Sequence, residues 1–196
     1  MPKRVDHDSR REEIARAALR LCVREGLASV TIGRVAAEAA ISKGLVQHYF
    51  PTKEALLRLA AATQRHDIES AVAAAVRPGD PPEAVLRQIL LALVDLGAEQ
   101  ILAGHAFLAS TAADPTLRRL YREGSAVATA TVARLLTEAR GPATGAEAEA
   151  RVLLGVAGSL ADARMLGEIG RAEAVAVLDL QLSRLHGAAA DSRGGG

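Results

Sequence analysis

Hydrophobic residues recur three and four positions apart along almost the whole chain, and no stretch alternates with the two-residue period of a strand. Glycine and proline interrupt this helical pattern at intervals. The clearest apolar stripes lie within residues 14–22, 32–39, 56–71, 85–96, 152–163 and 174–185. The pattern therefore predicts an all-α fold of about nine helices.

Hydroxyl and carboxylate side chains followed three positions later by Glu indicate where several helices begin. Such capping boxes occur at Ser9, Asp80 and Thr144. The box at Ser9 leaves residues 1–8 as a predicted mobile arm, which either touches a partner or is simply disordered. At the other end, residues 187–196 are rich in Ala and Gly, and we expect them to be disordered.

Residues 31–53 contain the most specific local pattern in the chain. Thr31 and Ser42 are good N-caps for two short helices, and Pro51 ends the second of them. Two helices this short cannot bury a core by themselves. They predict a helix-turn-helix, in which the second helix is presented to the major groove of DNA.

The charges are unevenly divided along the 196 residues, although the net charge is only +1. Residues 1–66 hold twelve Lys and Arg against seven Asp and Glu, a balance of +5 that leaves −4 for residues 67–196. A basic end on a more acidic body suits a DNA-binding head. Cys22 is the only cysteine, so there is no disulfide framework. The longest uncharged run, residues 100–113, is too short to cross a bilayer, and we expect a soluble cytoplasmic protein.

From about residue 10 to residue 62 the chain resembles the TetR family of bacterial one-component repressors. The resemblance is carried by an amphipathic first helix, Thr-Ile at 31–32, Ser-Lys-Gly at 42–44 and His-Tyr-Phe-Pro-Thr-Lys-Glu-Ala-Leu at 48–56. Residues 113–123 and 177–185 look like the branch that includes the choline-responsive betaine regulator.

The resemblance implies a three-helix helix-turn-helix head at residues 8–68 and an α-helical body at 69–187 that binds an effector and dimerises. A disordered tail would occupy residues 188–196. We expect a homodimer through two C-terminal helices at 147–166 and 172–185, although these helices could simply complete the core.

Candidate DNA contacts fall into two classes, because phosphate contacts position a protein and base contacts specify the sequence. Chemistry and the family pattern assign the backbone contacts to Thr31, Ser42, His48, Tyr49 and Lys53. Candidates for the groove are Lys43 for guanine, Gln47 for adenine, Leu45 for a thymine methyl and Gly44 for close approach. The alternative is that Tyr49 packs under the head and that Lys43 is merely solvated.

The family places an effector cavity among the body helices. The polar candidates for its wall are Gln64, His66, Asp95, Gln100, His105 and Thr111, and the aromatic ones are Phe107 and Tyr121. Asp95 could meet a cationic effector or cap a neighbouring helix, and His105 could equally be a satisfied core residue. A quaternary ammonium is usually held in an aromatic cage, which two aromatics hardly provide. We therefore expect a largely apolar effector.

These features together predict a ligand-responsive repressor that binds a near-palindromic operator. Alternatives are an activator of the same family and a helical protein-interaction module with a degenerate head. The five histidines lack metal-ligand spacing, and neither a glycine-rich phosphate loop nor a nucleophile elbow is present. We therefore expect no catalytic residues, no metal and no cofactor.

Overall fold

The computed structural model describes residues 2–141 and 145–191, with side chains from residue 7 to 184 of these ranges. Within them the chain forms nine α-helices, one short 3₁₀ turn at Leu27–Ser29 and no strand. The helices are α1 Pro2–Glu25, α2 Ile32–Glu38, α3 Lys43–Tyr49, α4 Lys53–Ala75, α5 Pro82–Val94, α6 Ala98–Ser110, α7 Pro115–Arg140, α8 Ala146–Met165 and α9 Arg171–Asp191. The predicted all-α fold of about nine helices is confirmed.

Four short polar side chains cap helices, among them the predicted N-caps Thr31 and Ser42. Thr31 Oγ1 accepts a hydrogen bond from the Arg34 amide at 3.3 Å, and Ser42 Oγ accepts one from the Leu45 amide at 3.1 Å. In the same way, Thr52 and Asp114 accept backbone amides at the starts of α4 and α7. These caps are local, since donor and acceptor lie within three residues of each other.

The predicted helix starts at Ser9 and Asp80 are wrong. Helix α1 begins at Pro2, so Ser9 lies inside it and the expected mobile arm is helical from Pro2. The N-cap of α5 is Pro81, because the Asp80 carboxylate instead accepts a hydrogen bond from Gln88 Nε2 at 2.6 Å.

The C-terminal part of the chain also differs from the expectation. Helix α9 continues to Asp191, past the residue at which we expected disorder to begin. Residues 192–196 lie outside the described residues, as does the predicted cap Thr144. Gly145 is the N-cap of α8 and has a left-handed φ of 96°.

The first of two compact units joins Met1–Asp67 to Ala98–Glu123. Its core contains Ile14, Leu21, Phe50 and Leu56 from the first four helices, together with side chains from α6 and α7. The latter are Ala103, Phe107 and Leu117, each at most 2% exposed. The first unit thus includes residues 98–123, which the sequence assigned to the body, because α6 packs against α1.

The second unit joins Ile68–Gly97 to Gly124–Gly196. Helix α8 packs against both α5 and α9, and the core between them is aliphatic. Leu86, Leu90, Leu153 and Leu178 are among its fully buried side chains. At the edge of this core Arg87 donates two hydrogen bonds to Asp179, at 2.7 and 2.8 Å, which joins α5 to α9.

Candidate nucleic-acid interface

Helix α3 is divided into a buried side and an exposed side. Val46 and Phe50 lie four positions apart and are 0% and 1% exposed, so they anchor this end of the chain in the core of the first unit. On the other side the exposed residues are Lys43, Gly44, Leu45, Gln47 and His48. A helix of seven residues is too short to be stable in isolation, and this burial is what fixes its outward face.

The turn before α3 requires an uncommon backbone conformation. Ala40 adopts φ 53°, in the left-handed region that L-residues with a Cβ rarely occupy. The amide of Ile41, which follows it, donates to the carbonyl of Ala36 at 3.0 Å. This closed turn brings α3 back against α2 and thereby sets the angle between the two helices of the motif.

Thr31 and Ser42 each use a hydroxyl lone pair to cap a helix, and both residues are exposed. A hydroxyl group can donate while it accepts, so the hydrogen of each remains available. The two helix starts therefore present O–H donors beside backbone N–H groups. Such groups suit a phosphate oxygen.

Most arginines of the first four helices are neutralised by carboxylates. The pairs are Arg10 with Glu13, Arg16 with Glu12 and Asp67, Arg20 with Glu38, Arg24 with Glu25 and Glu38, and Arg34 with Glu25. Hydrogen bonds from Arg24 and then Arg20 lower the pKa of Glu38, and hydrogen bonds chiefly from Arg34 lower that of Glu25. These carboxylates are therefore charged at neutral pH and cancel much of the local positive charge.

Lys43 and Lys53 differ from these arginines. Neither has an ion-pair partner among the side chains that the structure describes. They lie at the first positions of α3 and α4, next to the exposed side of α3. Two uncompensated positive charges of the basic N-terminal region thus lie at the starts of α3 and α4, where a polyanion could meet the motif.

Aromatic side chains cluster at the C-terminal end of α3. Tyr49 is half-buried and packs against the core, with the His48 ring edge-on at 5.4 Å between centroids. The His7 ring of α1 lies 5.5 Å from the Tyr49 ring, and the Arg11 guanidinium lies 5.1 Å from the centroid of Phe50. Sequence reasoning missed His7 because the predicted start at Ser9 left it outside α1. It missed Arg11 because the contact with Phe50 joins residues that are far apart in the sequence.

Comparison with known proteins relates this two-helix motif to a known family. Residues 14–60 match the family model described as bacterial regulatory proteins, tetR family. These residues therefore carry the helix-turn-helix of the TetR family. This helix-turn-helix is the DNA-binding motif of that family, and the fold and relatives of the chain are those of DNA-binding regulators, which are not enzymes.

Relatives extend the similarity beyond the TetR motif. The chain is 36% identical over 113 residues to the HTH-type transcriptional regulator PksA of Bacillus subtilis (strain 168), which covers 57% of this chain and 55% of that protein. It is 37% identical over 129 residues to the HTH-type transcriptional regulator BetI of Burkholderia mallei (strain NCTC 10229), covering 62% and 65%. The chain therefore spans less than two thirds of the length of these relatives.

A solved structure supports the TetR fold over nearly the whole chain. The crystal structure of a transcriptional regulator from Rhodococcus sp. Rha1 superposes with a TM-score of 0.78 at 25% identity, covering 89% of this chain and 95% of that one. None of the helices described in the present chain combines the length and the apolar run that crossing a bilayer would need. The described residues also contain no group of three His, Cys, Asp or Glu side chains placed to hold a metal ion.

The side chains predicted to line a TetR-type effector cavity are only partly brought together. Gln64 and Gln100 meet in the first unit, where the buried Gln64 amide donates to the Gln100 carbonyl at 3.1 Å. One turn further along α6, the Gly104 carbonyl accepts a hydrogen bond from the Tyr121 hydroxyl of α7 at 2.9 Å. Burial raises the pKa of Tyr121 to about 12. Because both polar groups are used internally, they hold α6 in place within this unit.

The other predicted effector contacts of the first unit differ in their burial. Phe107 is fully buried in the core of the first unit, whereas His66 and His105 are exposed. The Thr111 hydroxyl donates to the Leu108 carbonyl at 2.8 Å, at the end of α6.

Asp95 belongs to the second unit and does not join the other predicted effector contacts. It follows the last residue of α5 as its C-cap, and it accepts hydrogen bonds from Arg164 and Arg171, each at a shortest distance of 2.8 Å. Two arginines therefore compensate the carboxylate that the sequence suggested for a cationic effector.

Proposed function

We propose that this chain is a ligand-responsive transcriptional repressor, which binds a near-palindromic operator as a homodimer and is released by a small-molecule effector in the cytoplasm. The observation that supports DNA binding is the outward face of α3, where Lys43 and Gln47 lie one turn apart opposite the buried Val46. Both side chains can bond base edges in a major groove, Lys to guanine and Gln to adenine.

The neighbouring positions complete the proposed contact surface. Gly44 has open space where a Cβ would be, so the backbone can approach a base closely, and Leu45 is 37% exposed and can contact a thymine methyl. Thr31, Ser42, His48, Tyr49 and Lys53 are assigned to the phosphate backbone. Phosphate contacts fix the position of α3, and the groove contacts supply the sequence preference.

Fluorescence anisotropy with the promoter region beside the chain's own coding sequence tests this function. Gln47→Ala should lose about 1–3 kcal/mol of discrimination at one base pair and leave the other positions unchanged. Lys53→Ala should weaken every sequence alike and reduce the salt slope by about one. A scrambled duplex of equal length is the control. If the chain does not prefer the promoter to the scrambled duplex, the repressor proposal fails and a protein-interaction module replaces it.

The homodimer part of the proposal rests on an exposed, partly apolar face of α8 and α9. Val152, Leu166, Val177 and Leu180 are 42–66% exposed on these helices. Gly155 on the same side of α8 has nothing within 4 Å of a built Cβ, so another helix can approach its backbone. A second copy of the chain is the proposed occupant, because one motif gives too little affinity for genomic specificity, whereas a dimer reads two half-sites about one helical turn (~34 Å) apart.

Sedimentation velocity at micromolar concentration tests the dimer. The parent chain should sediment as a dimer, and Leu180→Glu should give a monomer because it would bury a charge in the interface. Val127→Glu is the matched control, since Val127 is 65% exposed on α7 and lies outside the proposed interface. A monomeric parent, or a dimer that Leu180→Glu leaves intact, would refute this interface.

The effector part of the proposal concerns the predicted contacts of α4, α6 and α7. Helix α6 has one charged residue, Glu99, in thirteen, which suits a largely apolar ligand better than a cation. A thermal-shift screen of lipophilic compounds, followed by anisotropy on the operator, tests this. A true effector should raise the melting temperature and weaken DNA binding together. A compound that stabilises the chain without changing operator affinity would not be an effector.

A further inference from the structure

Two side chains of α1 reach the end of α3 that carries the proposed phosphate contacts. The Arg11 guanidinium carbon lies 5.1 Å from the centroid of the buried Phe50 ring. One helical turn earlier, the His7 ring lies 5.5 Å from the ring of Tyr49, at an interplanar angle of 57°. These contacts join the start of α1 to two consecutive residues at the end of the helix-turn-helix.

Arg11 is unlike the other arginines of its helix whose side chains the structure describes. Arg10, Arg16, Arg20 and Arg24 each donate to a carboxylate at 3.2 Å or less. Arg11 has no carboxylate partner among the described side chains, and the side chain is exposed. Its positive charge therefore remains available beside Phe50, which precedes Lys53 by three residues in the sequence.

The contact with Phe50 also fixes how the guanidinium can be used. Attraction to the aromatic face holds the cation beside the ring. The N–H donors of arginine lie in the plane of the group and form a fork that matches two phosphate oxygens. A guanidinium held in this way is ordered before binding, so less side-chain entropy is lost when it meets an anion.

We infer that Arg11 is a further DNA contact, which binds a backbone phosphate beside the one met by Tyr49 and Lys53, and that His7 positions Tyr49. This inference rests on the proposed operator binding and extends its contact surface from α3 and α4 to α1. The ligand chemistry is a phosphodiester group of the duplex, not a base edge, so Arg11 adds affinity without adding sequence preference.

The test compares Arg11→Gln with Arg10→Gln in the full-length protein by anisotropy over a range of salt concentrations. Both variants lose one positive charge from adjacent positions, but only Arg10 is paired with a carboxylate, Glu13. Arg11→Gln should weaken binding to operator and scrambled duplexes by the same factor. It should also lower the slope of log affinity against log salt by about 0.9, the value for one lost phosphate contact, whereas Arg10→Gln should keep the parental slope.

Two further variants separate contact from positioning. Arg11→Lys keeps the charge and should keep the slope, with a smaller loss of affinity. His7→Ala should weaken binding with no change of slope, because it removes a ring contact and no phosphate contact. Circular dichroism melts of all variants show whether a loss of binding is only a loss of folding.

A neutral methylphosphonate placed at single backbone positions locates the contact. At one backbone position the methylphosphonate should weaken binding by the parent protein. It should not weaken binding by Arg11→Gln any further, because that variant already lacks the guanidinium that contacts this phosphate. Equal slopes for Arg11→Gln and the parent, or equal changes for Arg10→Gln and Arg11→Gln, would overturn the inference while leaving operator binding in place. A parent that binds no operator would instead refute the proposed function, and this inference with it.

Discussion

Replacing Phe107 with Ala tests whether α6 is part of the core of the first unit. The Phe107 side chain is 0% exposed and lies in one cluster with Leu21, Phe50 and Leu56. Removing a fully buried Phe ring costs about 3–5 kcal/mol, from lost transfer free energy and the cavity left behind. For a chain of this size, about 2–4 °C of melting temperature corresponds to 1 kcal/mol, so a decrease of roughly 6–20 °C is expected.

Urea unfolding followed by far-UV circular dichroism measures the loss in free energy of unfolding. Amide hydrogen exchange shows which helices lose protection. Protection should decrease in α1, which packs on α6. The matched control is Leu108→Ala on the same helix, whose side chain is 54% exposed and should change stability by at most about 0.5 kcal/mol. If Phe107→Ala costs no more than Leu108→Ala, Phe107 lines a ligand-accessible cavity instead, as the sequence suggested, and the core assignment is wrong.

Three further predictions concern single positions. Ala40→Gly should stabilise the chain by roughly 0.5 kcal/mol in urea unfolding, because glycine adopts the left-handed φ of 53° without a Cβ clash; a decrease would show that the turn is not strained. Tyr121→Phe should cost about 1 kcal/mol, since it removes the hydrogen bond to Gly104, and an unchanged midpoint would contradict that contact. Hydrogen bonds from Arg87 lower the pKa of Asp179 below its ordinary 3.8, so this pair should stabilise the fold above about pH 4 and lose its effect as the pH falls through the depressed value. Asp179→Asn should therefore show a smaller loss of stability between pH 6 and pH 2 than the parent, and equal losses would refute the assignment.

The features that the sequence determined by itself are local. Thr31 and Ser42 cap the two helices of the motif because each hydroxyl meets an amide three residues later. Val46 and Phe50 are buried because residues four apart share one face of a helix, which leaves Lys43 and Gln47 on the other. Short spacing fixes these caps and decides which residues share a helix face, and packing in the core of the first unit then buries one of those faces.

Tertiary structure decided which distant segments meet. The apolar run around Phe107 is compatible with a cavity wall or with a core. Phe107 lies in the core of the first unit because α6 packs on α1. Asp95 is compensated by Arg164 and Arg171, about seventy residues further along the chain. A polar side chain bonds the partner that folding brings nearest, and spacing along the sequence predicts that partner only when it lies within a turn or two of the same helix.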